Sequence, residues 1–140
     1  MKINIASNEV VHFIGIGGIG MSGLAQIMNN MGFTIQGSDL SRNKNTDRLI
    51  KKGIKVFFGH RQRNLNKITM VVISSAIKKN NMELIAAKHK KLPVFKRGEM
   101  LANIVALKKK YCNYRLTWKN NHNIIGSKYF SKSRIGPYSN

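Results

Sequence analysis

The sequence predicts an α/β fold, a Rossmann-like doubly wound parallel sheet with helices on both faces. Three observations predict it. An apolar run, Val10 to Ile14, enters a glycine cluster and passes directly into a helical pattern. Strand-like and helix-like segments then alternate with short links as far as residue 109, the pattern of βαβ units. Finally, Met70 to Ser74 read M-V-V-I-S, the continuous apolar run expected of a central parallel strand covered on both faces.

The first strand, Val10 to Ile14, leads into Gly15, Gly17 and Gly20, which satisfy G-x-G-x-x-G, with Gly18 as an extra glycine. In such a motif the first glycine turns the chain out of the strand and the second lets backbone approach a diphosphate. The third lets the following helix pack on the sheet, and that helix presents free N–H groups and a positive dipole end to the anion. Helix one is expected over Ile19 to Met31, with Met21, Leu24, Ala25, Ile27 and Met28 apolar and Gly32 as its stop. Phe33 to Ser38 form the second strand, and Asp39 stands at its carboxyl end. An acid there suits a ribose hydroxyl, and it equally suits a helix N-cap.

Ser41 to Lys52 read as helix two, with Leu49 and Ile50 inward and Gly53 as the stop. Ile54 to Phe58 make strand three, closed by Gly59-His60, where His60 either faces a ligand cleft or caps the turn. Strand four, Met70 to Ser74, is followed by Ser75-Ala76 at the sheet edge where open α/β sheets bind ligands. Asn80 to Lys91 form a helix with Met82, Ile85 and Ala86 inward. Pro93 to Phe95 are a short strand, Lys96 to Glu99 a turn, and Glu99 to Lys109 a last helix. Its apolar face is Met100, Leu101, Ile104, Val105 and Leu107.

Composition narrows the function. The 140 residues carry 25 Lys and Arg against 5 Asp and Glu, a net charge of +20. That balance invites a nucleic-acid reading. Lys, Asn and Ile are abundant together, however, and all three belong to A- and T-rich codons, so base composition explains the charge without a specific nucleic-acid partner. The lysines are also spread over many helix surfaces. No apolar run approaches the length of a membrane span, and the first residues lack a signal-peptide core. The single cysteine, Cys112, makes no internal disulfide and fits a reducing cytoplasm. The four histidines show no ligand spacing, so no metal site is expected.

Taken together, H-F-I-G-I-G-G-I-G-M-S-G-L-A, then G-S-D, V-V-I-S-S-A-I and R-G-E-M-L-A resemble the N-terminal domain of the bacterial UDP-N-acetylmuramate–L-alanine ligases of the Mur ligase family. The resemblance runs from about Val11 to Leu107. It implies a UDP-N-acetylmuramate-binding domain, serving peptidoglycan synthesis, in place of a nicotinamide site. It assigns Gly15, Gly17, Gly18, Ile19, Gly20 and Met21 to the UDP diphosphate. Ser38, Asp39, Ser74, Ser75 and Ala76 fall to the uridine, with His60 as a further candidate and no catalytic residue in this part. Full-length members of the family use ATP and Mg²⁺ on a central domain that opens with a phosphate loop, G-T/S-H-G-K-T-T-T. A C-terminal domain then helps bind the amino acid.

That loop is expected soon after Lys110, and no G-K-T or G-K-S occurs in the chain. Residues 111–140 contain no acid and little periodicity. The genetic code offers a reason. When each codon is read as the last two bases of one printed codon and the first base of the next, Arg115 to Gly126 permit G-S-H-G-K-T-T-T-T-S-L. Trp118 has a single codon, which forces glycine at its place in that frame. The expected organisation is therefore an extension at 1–9, the domain at 10–110, and an out-of-frame, disordered tail at 111–140. A one-base shift would lie near the codons for Lys108 to Tyr111. The expected product is a UDP-sugar-binding domain without ligase activity of its own. The alternatives are a standalone NAD(P)- or nucleotide-binding Rossmann module and a basic nucleic-acid-binding protein.

Overall fold

Parallel strands need crossover connections, and the alternating sequence supplies them. A computed structural model describes residues 9–113. Within them β1 is Val10–Ile14, α1 Ile19–Asn30, β2 Thr34–Asp39, α2 Lys44–Lys51, β3 Lys55–Phe58, β4 Met70–Ile73, α3 Met82–His89, β5 Val94–Lys96 and α4 Arg97–Asn113. A single 3-10 turn, Gln62–Leu65, links β3 to β4 in place of a full helix. The strands form one parallel sheet in the order β3-β2-β1-β4-β5. The chain starts in the middle and winds out to each side, so β1 and β4 flank the point where the direction of winding reverses.

Alternation along the strands builds two cores. Val11 and Phe13 of β1, with Met70 and Val72 of β4, face Leu24, Ala25 and Met28 of α1, Leu49 of α2, and Met100, Ile104 and Leu107 of α4. On the other face Ile14 and Val71 meet Leu65, Ile68, Leu84, Ala86 and Ala87. Three helices thus cover one face, while α3 and the 3-10 turn cover the other. None of the helices described is long and apolar enough to cross a membrane.

Local chemistry sets the element ends. Gly32 takes a φ of 101° after the last turn of α1, a conformation that costs glycine little. The Asn43 side chain accepts from Thr46 N–H at 2.9 Å while the Thr46 hydroxyl accepts from Asn43 N–H at 2.9 Å, a reciprocal capping box. That box starts α2 three positions later than the expected Ser41. Asp39 is therefore not the N-cap of this helix.

Several expected faces need correction. Met82 and Ile85, expected inward, are 55% and 49% exposed, whereas Glu83, Leu84, Ala86 and Ala87 are buried. The apolar pattern alone fixed the wrong phase because the residue that anchors α3 is a charged one, Glu83. Ile27, Ile50, Leu101 and Val105 also lie on exposed flanks of their helices. The expected turn at Lys96 to Glu99 is helical from Arg97, and Glu99 turns back to accept the Lys96 N–H at 3.3 Å. α4 reaches Asn113, past the expected domain limit at 110. The expectations for residues 1–8 and for the tail beyond 113 lie outside the described residues.

Candidate functional site

The site is built at the carboxyl edge of the sheet, where β1, β2 and β4 end together. Gly15 leaves β1 with a φ of 85°, which a residue with a Cβ adopts only with strain. Its N–H and that of Ile16 both donate to the Ser38 carbonyl, at 2.8 and 3.0 Å, tying the loop to β2. Ile16 is fully buried and enters the core. It passes over Gly37, where an added Cβ would stand 2.5 Å from Ile16 Cδ1.

Gly17 is the centre of the loop. Its N–H donates to Asp39 Oδ2 at 2.7 Å, and its carbonyl accepts from Asn45 Nδ2 at 2.9 Å. A Cβ on Gly17 would lie 2.6 Å from that same Asp39 oxygen and 2.8 Å from Asn43 Nδ2. The second glycine thus makes room for the acid at the end of β2. Asp39 Oδ1 accepts the Leu40 N–H at 2.7 Å. Each carboxylate oxygen carries a second lone pair, so Asp39 can brace the loop and still accept a hydroxyl.

α1 then starts at Ile19 with Gly18 as N-cap, no side-chain cap and no acid in its first turn. By contrast Asn43 and Asn81 cap α2 and α3, and Asp47, Glu83 and Glu99 occupy the first turns of α2, α3 and α4. Helix N–H groups left without internal partners, together with the dipole, favour an anion at this position. Ile19 is 89% exposed beside them, while the Met21 side chain belongs to the core and can offer the site only its backbone. Across the loop, Ser74 to Ala76 form a turn in which Ser74 Oγ accepts the Ala76 N–H at 3.3 Å. Ser75 and Ala76 are exposed there, and Ser74 Cβ would touch a Cβ on Gly15 at 3.2 Å.

Ser38 and His60 go elsewhere. The Ser38 side chain has no exposed surface and donates to Glu83 Oε2 at 2.5 Å, so its hydroxyl is turned away from the edge where uridine contact was expected. His60 Nδ1 lies 2.9 Å from Ser38 Oγ and 3.3 Å from Glu83 Oε2. With the serine proton committed to Glu83, His60 Nδ1–H is the donor to both. Glu83 also accepts from Asn64 Nδ2 at 2.6 Å and from His12 Nε2 at 3.2 Å.

On the far side of His12, Gln36 Nε2 lies 3.0 Å from His12 Nδ1 and donates to the Asn64 carbonyl at 2.7 Å. The opposite ring nitrogen, Nε2, points at Glu83. Burial alone pushes the Glu83 carboxyl up. The hydrogen bond and charge of His12, with the hydrogen bonds of Ser38 and Asn64, outweigh it and lower the group from 4.5 to about 2. This cluster fills the half of the second face that has a 3-10 turn above it in place of a helix. Because the Ser38 backbone carbonyl holds the glycine loop, Glu83 positions the loop through Ser38. Its one trace in the sequence is a histidine in an apolar strand.

A groove of about 480 Å³ beside β3 is lined by Gln36, Lys55, Phe57 and Arg63, among others, and shares no residue with the glycine loop. No group of three or more His, Cys, Asp or Glu side chains among the described residues is placed to hold a metal.

Comparison with known proteins agrees with this fold. The family model for "Mur ligase family, catalytic domain" matches residues 10–109. A UDP-N-acetylmuramate–L-alanine ligase of Pelagibacter ubique is 54% identical over 137 residues, covering 98% of this chain and 30% of that protein. The enzyme of the same name from Brucella ovis is 52% identical over 109 residues, or 78% of this chain and 22% of its own. The chain thus spans less than a third of the length of these relatives. Among solved structures, the UDP-N-acetylmuramate–alanine ligase of Thermotoga maritima superposes with a TM-score of 0.68 at 30% identity, over 71% of this chain and 23% of its own. A UDP-N-acetylmuramate:L-alanyl-γ-D-glutamyl-meso-diaminopimelate ligase from Neisseria superposes at 0.62 with 31% identity, over 67% of this chain and 30% of that one. The parallel sheet, the glycine loop and these matches lead to one conclusion: the chain belongs to the Mur ligase family and corresponds to the N-terminal domain of its L-alanine-adding members.

Proposed function

We propose that this domain holds UDP-N-acetylmuramate by its UDP half, the diphosphate on the glycine loop and the ribose on Asp39. The observation that carries the reading is the start of α1, which has neither side-chain cap nor first-turn acid, directly beside a carboxylate at the same sheet edge. The names of the relatives favour a UDP-muramate over a nicotinamide dinucleotide. Ser75 and Ala76 supply the exposed wall on the β4 side, and Ser38 contributes through its backbone only.

In full-length relatives the resemblance assigns ATP and Mg²⁺ to a central domain, and the residues described here do not fit that pair. They bring no metal-ligand cluster together, and the chain contains no phosphate-loop lysine motif. In this reading the described domain is the substrate holder. Calorimetry on the folded chain tests the binding half. Heat with UDP-N-acetylmuramate and none with NADH is expected, and the reverse would overturn the reading.

The shifted reading frame over residues 115–125 belongs to the same proposal. The Brucella match covers 78% of the chain, whereas the Pelagibacter match covers 98% and so runs past residue 113. Resequencing the DNA from the codon for Leu101 onward decides the matter. An open shifted frame encoding the phosphate loop supports the proposal, and its absence removes it.

A further inference from the structure

The third glycine of the motif does something the sequence pattern does not suggest. A Cβ on Gly20 would meet no strand. It would stand 3.0 Å from Cδ, Nε and Nη1 of Arg97 alike. The guanidinium of the first residue of α4 therefore lies flat against the bare backbone of the first turn of α1, beside the N–H groups that await an anion.

Three features make this placement unusual for a structural arginine. Arg97 is exposed, so it covers no core. Among the described residues it has no ion pair: the acid that ends on its own helix, Glu99, bonds the Lys96 N–H instead. It also opens a helix, where a positive charge opposes the dipole. An unpaired cation at the wrong end of its own helix, lying on the anion-receptive end of another, has its favourable partner in a ligand.

We infer that Arg97 is a ligand-binding residue, the counter-cation that grips the terminal phosphate of a nucleoside diphosphate seated on the glycine loop. The inference rests on the diphosphate reading above and deepens it. The loop supplies only backbone dipoles, and the carboxylate at Gly17 opposes an anion. A fixed guanidinium supplies the full charge the loop lacks, with donors suited to phosphate oxygens. Gly20 is then the residue that lets the guanidinium approach.

The test uses the full chain, with UDP followed by calorimetry and uridine by NMR titration. Arg97→Met is expected to weaken UDP binding about 10- to 100-fold, the worth of a hydrogen bond to a charged group, while uridine binding stays within about twofold on that scale. Gly20→Ala provides a second route. The new methyl displaces the guanidinium, so UDP binding falls, and the double variant Gly20→Ala/Arg97→Met binds no worse than Arg97→Met alone. If the wild type binds UDP and Arg97→Met binds it equally well, the role of Arg97 is overturned and the site stands. If the folded wild type binds no UDP, the site reading itself fails and Arg97 falls with it. An equal loss for uridine and UDP would also overturn the role, by showing general damage to the fold.

Discussion

Replacing Glu83 by glutamine removes one charge and leaves the side chain's shape nearly unchanged. The wild-type carboxylate is acceptor-only, and both its oxygens face donors: Asn64 on Oε1, and Ser38, His12 and His60 on Oε2. A glutamine must turn its NH₂ toward one of these sets. Toward Asn64 it meets another NH₂, and Asn64 cannot flip, because its Nδ2 also donates to the Gly59 carbonyl at 3.0 Å. Toward Ser38 and the histidines it strands three donors.

At least one buried donor therefore loses its partner, and the remaining bonds lose their charge assistance. Together these cost about 3 kcal/mol. The lowered carboxyl, which reflects the same hydrogen bonds, is on the same scale, since a fall from 4.5 to about 2 corresponds to roughly 3 kcal/mol. For a domain of this size the melting temperature should drop by roughly 12–24 °C. The sign with pH follows from linkage. The folded carboxyl titrates below the unfolded one, so the unfolded chain binds more protons between pH 4.5 and about 2. The wild type keeps this stabilisation above pH 4.5 and loses it as pH falls toward 2. Urea unfolding followed by circular dichroism at pH 7, 4 and 3 reads both effects. Glu83→Gln should be less stable at pH 7 and converge on the wild type as the pH drops. A variant within about 0.5 kcal/mol at pH 7, with an unchanged pH slope, would refute the assignment of Glu83 as the charged hub.

Three further outcomes follow from the same structure. Gly37→Ala should cost on the order of 2–3 kcal/mol in urea unfolding, because the new Cβ would stand 2.5 Å from Ile16 Cδ1 and 2.7 Å from the Phe13 carbonyl. Asn43→Ala breaks the capping box of α2 and should cost about 1–2 kcal/mol, read as a shift of the urea midpoint. Ile85→Lys should change stability by less than about 0.5 kcal/mol, whereas Leu84→Ala should cost about 2–5 kcal/mol. The opposite ranking would mean that α3 is turned the other way.

The sequence alone carries the fold class and the placement of the glycine loop. Both rest on local rules: a strand must end before a glycine cluster, a helix must start after it, and a buried parallel strand must be apolar throughout. It also placed Asp39 at the end of β2 and Ser75-Ala76 at the end of β4, because strand ends share one edge of a parallel sheet. Which side of each element faces inward is set by long-range packing. Met82 and Ile85 matched helical spacing and still point outward, because a buried carboxylate, satisfied by partners from β1, β2, the loop after β3 and the 3-10 turn, fixes the phase of α3. The same long-range pairing takes the Ser38 hydroxyl away from the carboxyl edge of the sheet and draws His60 toward Glu83. On the other face, the packing of α4 beside α1 sets Arg97, which reads in sequence as part of a turn, on the bare backbone of Gly20. Periodicity records how apolar surface is shared along one element. It carries no record of which distant polar group will satisfy a buried charge, and that choice shaped half of this site.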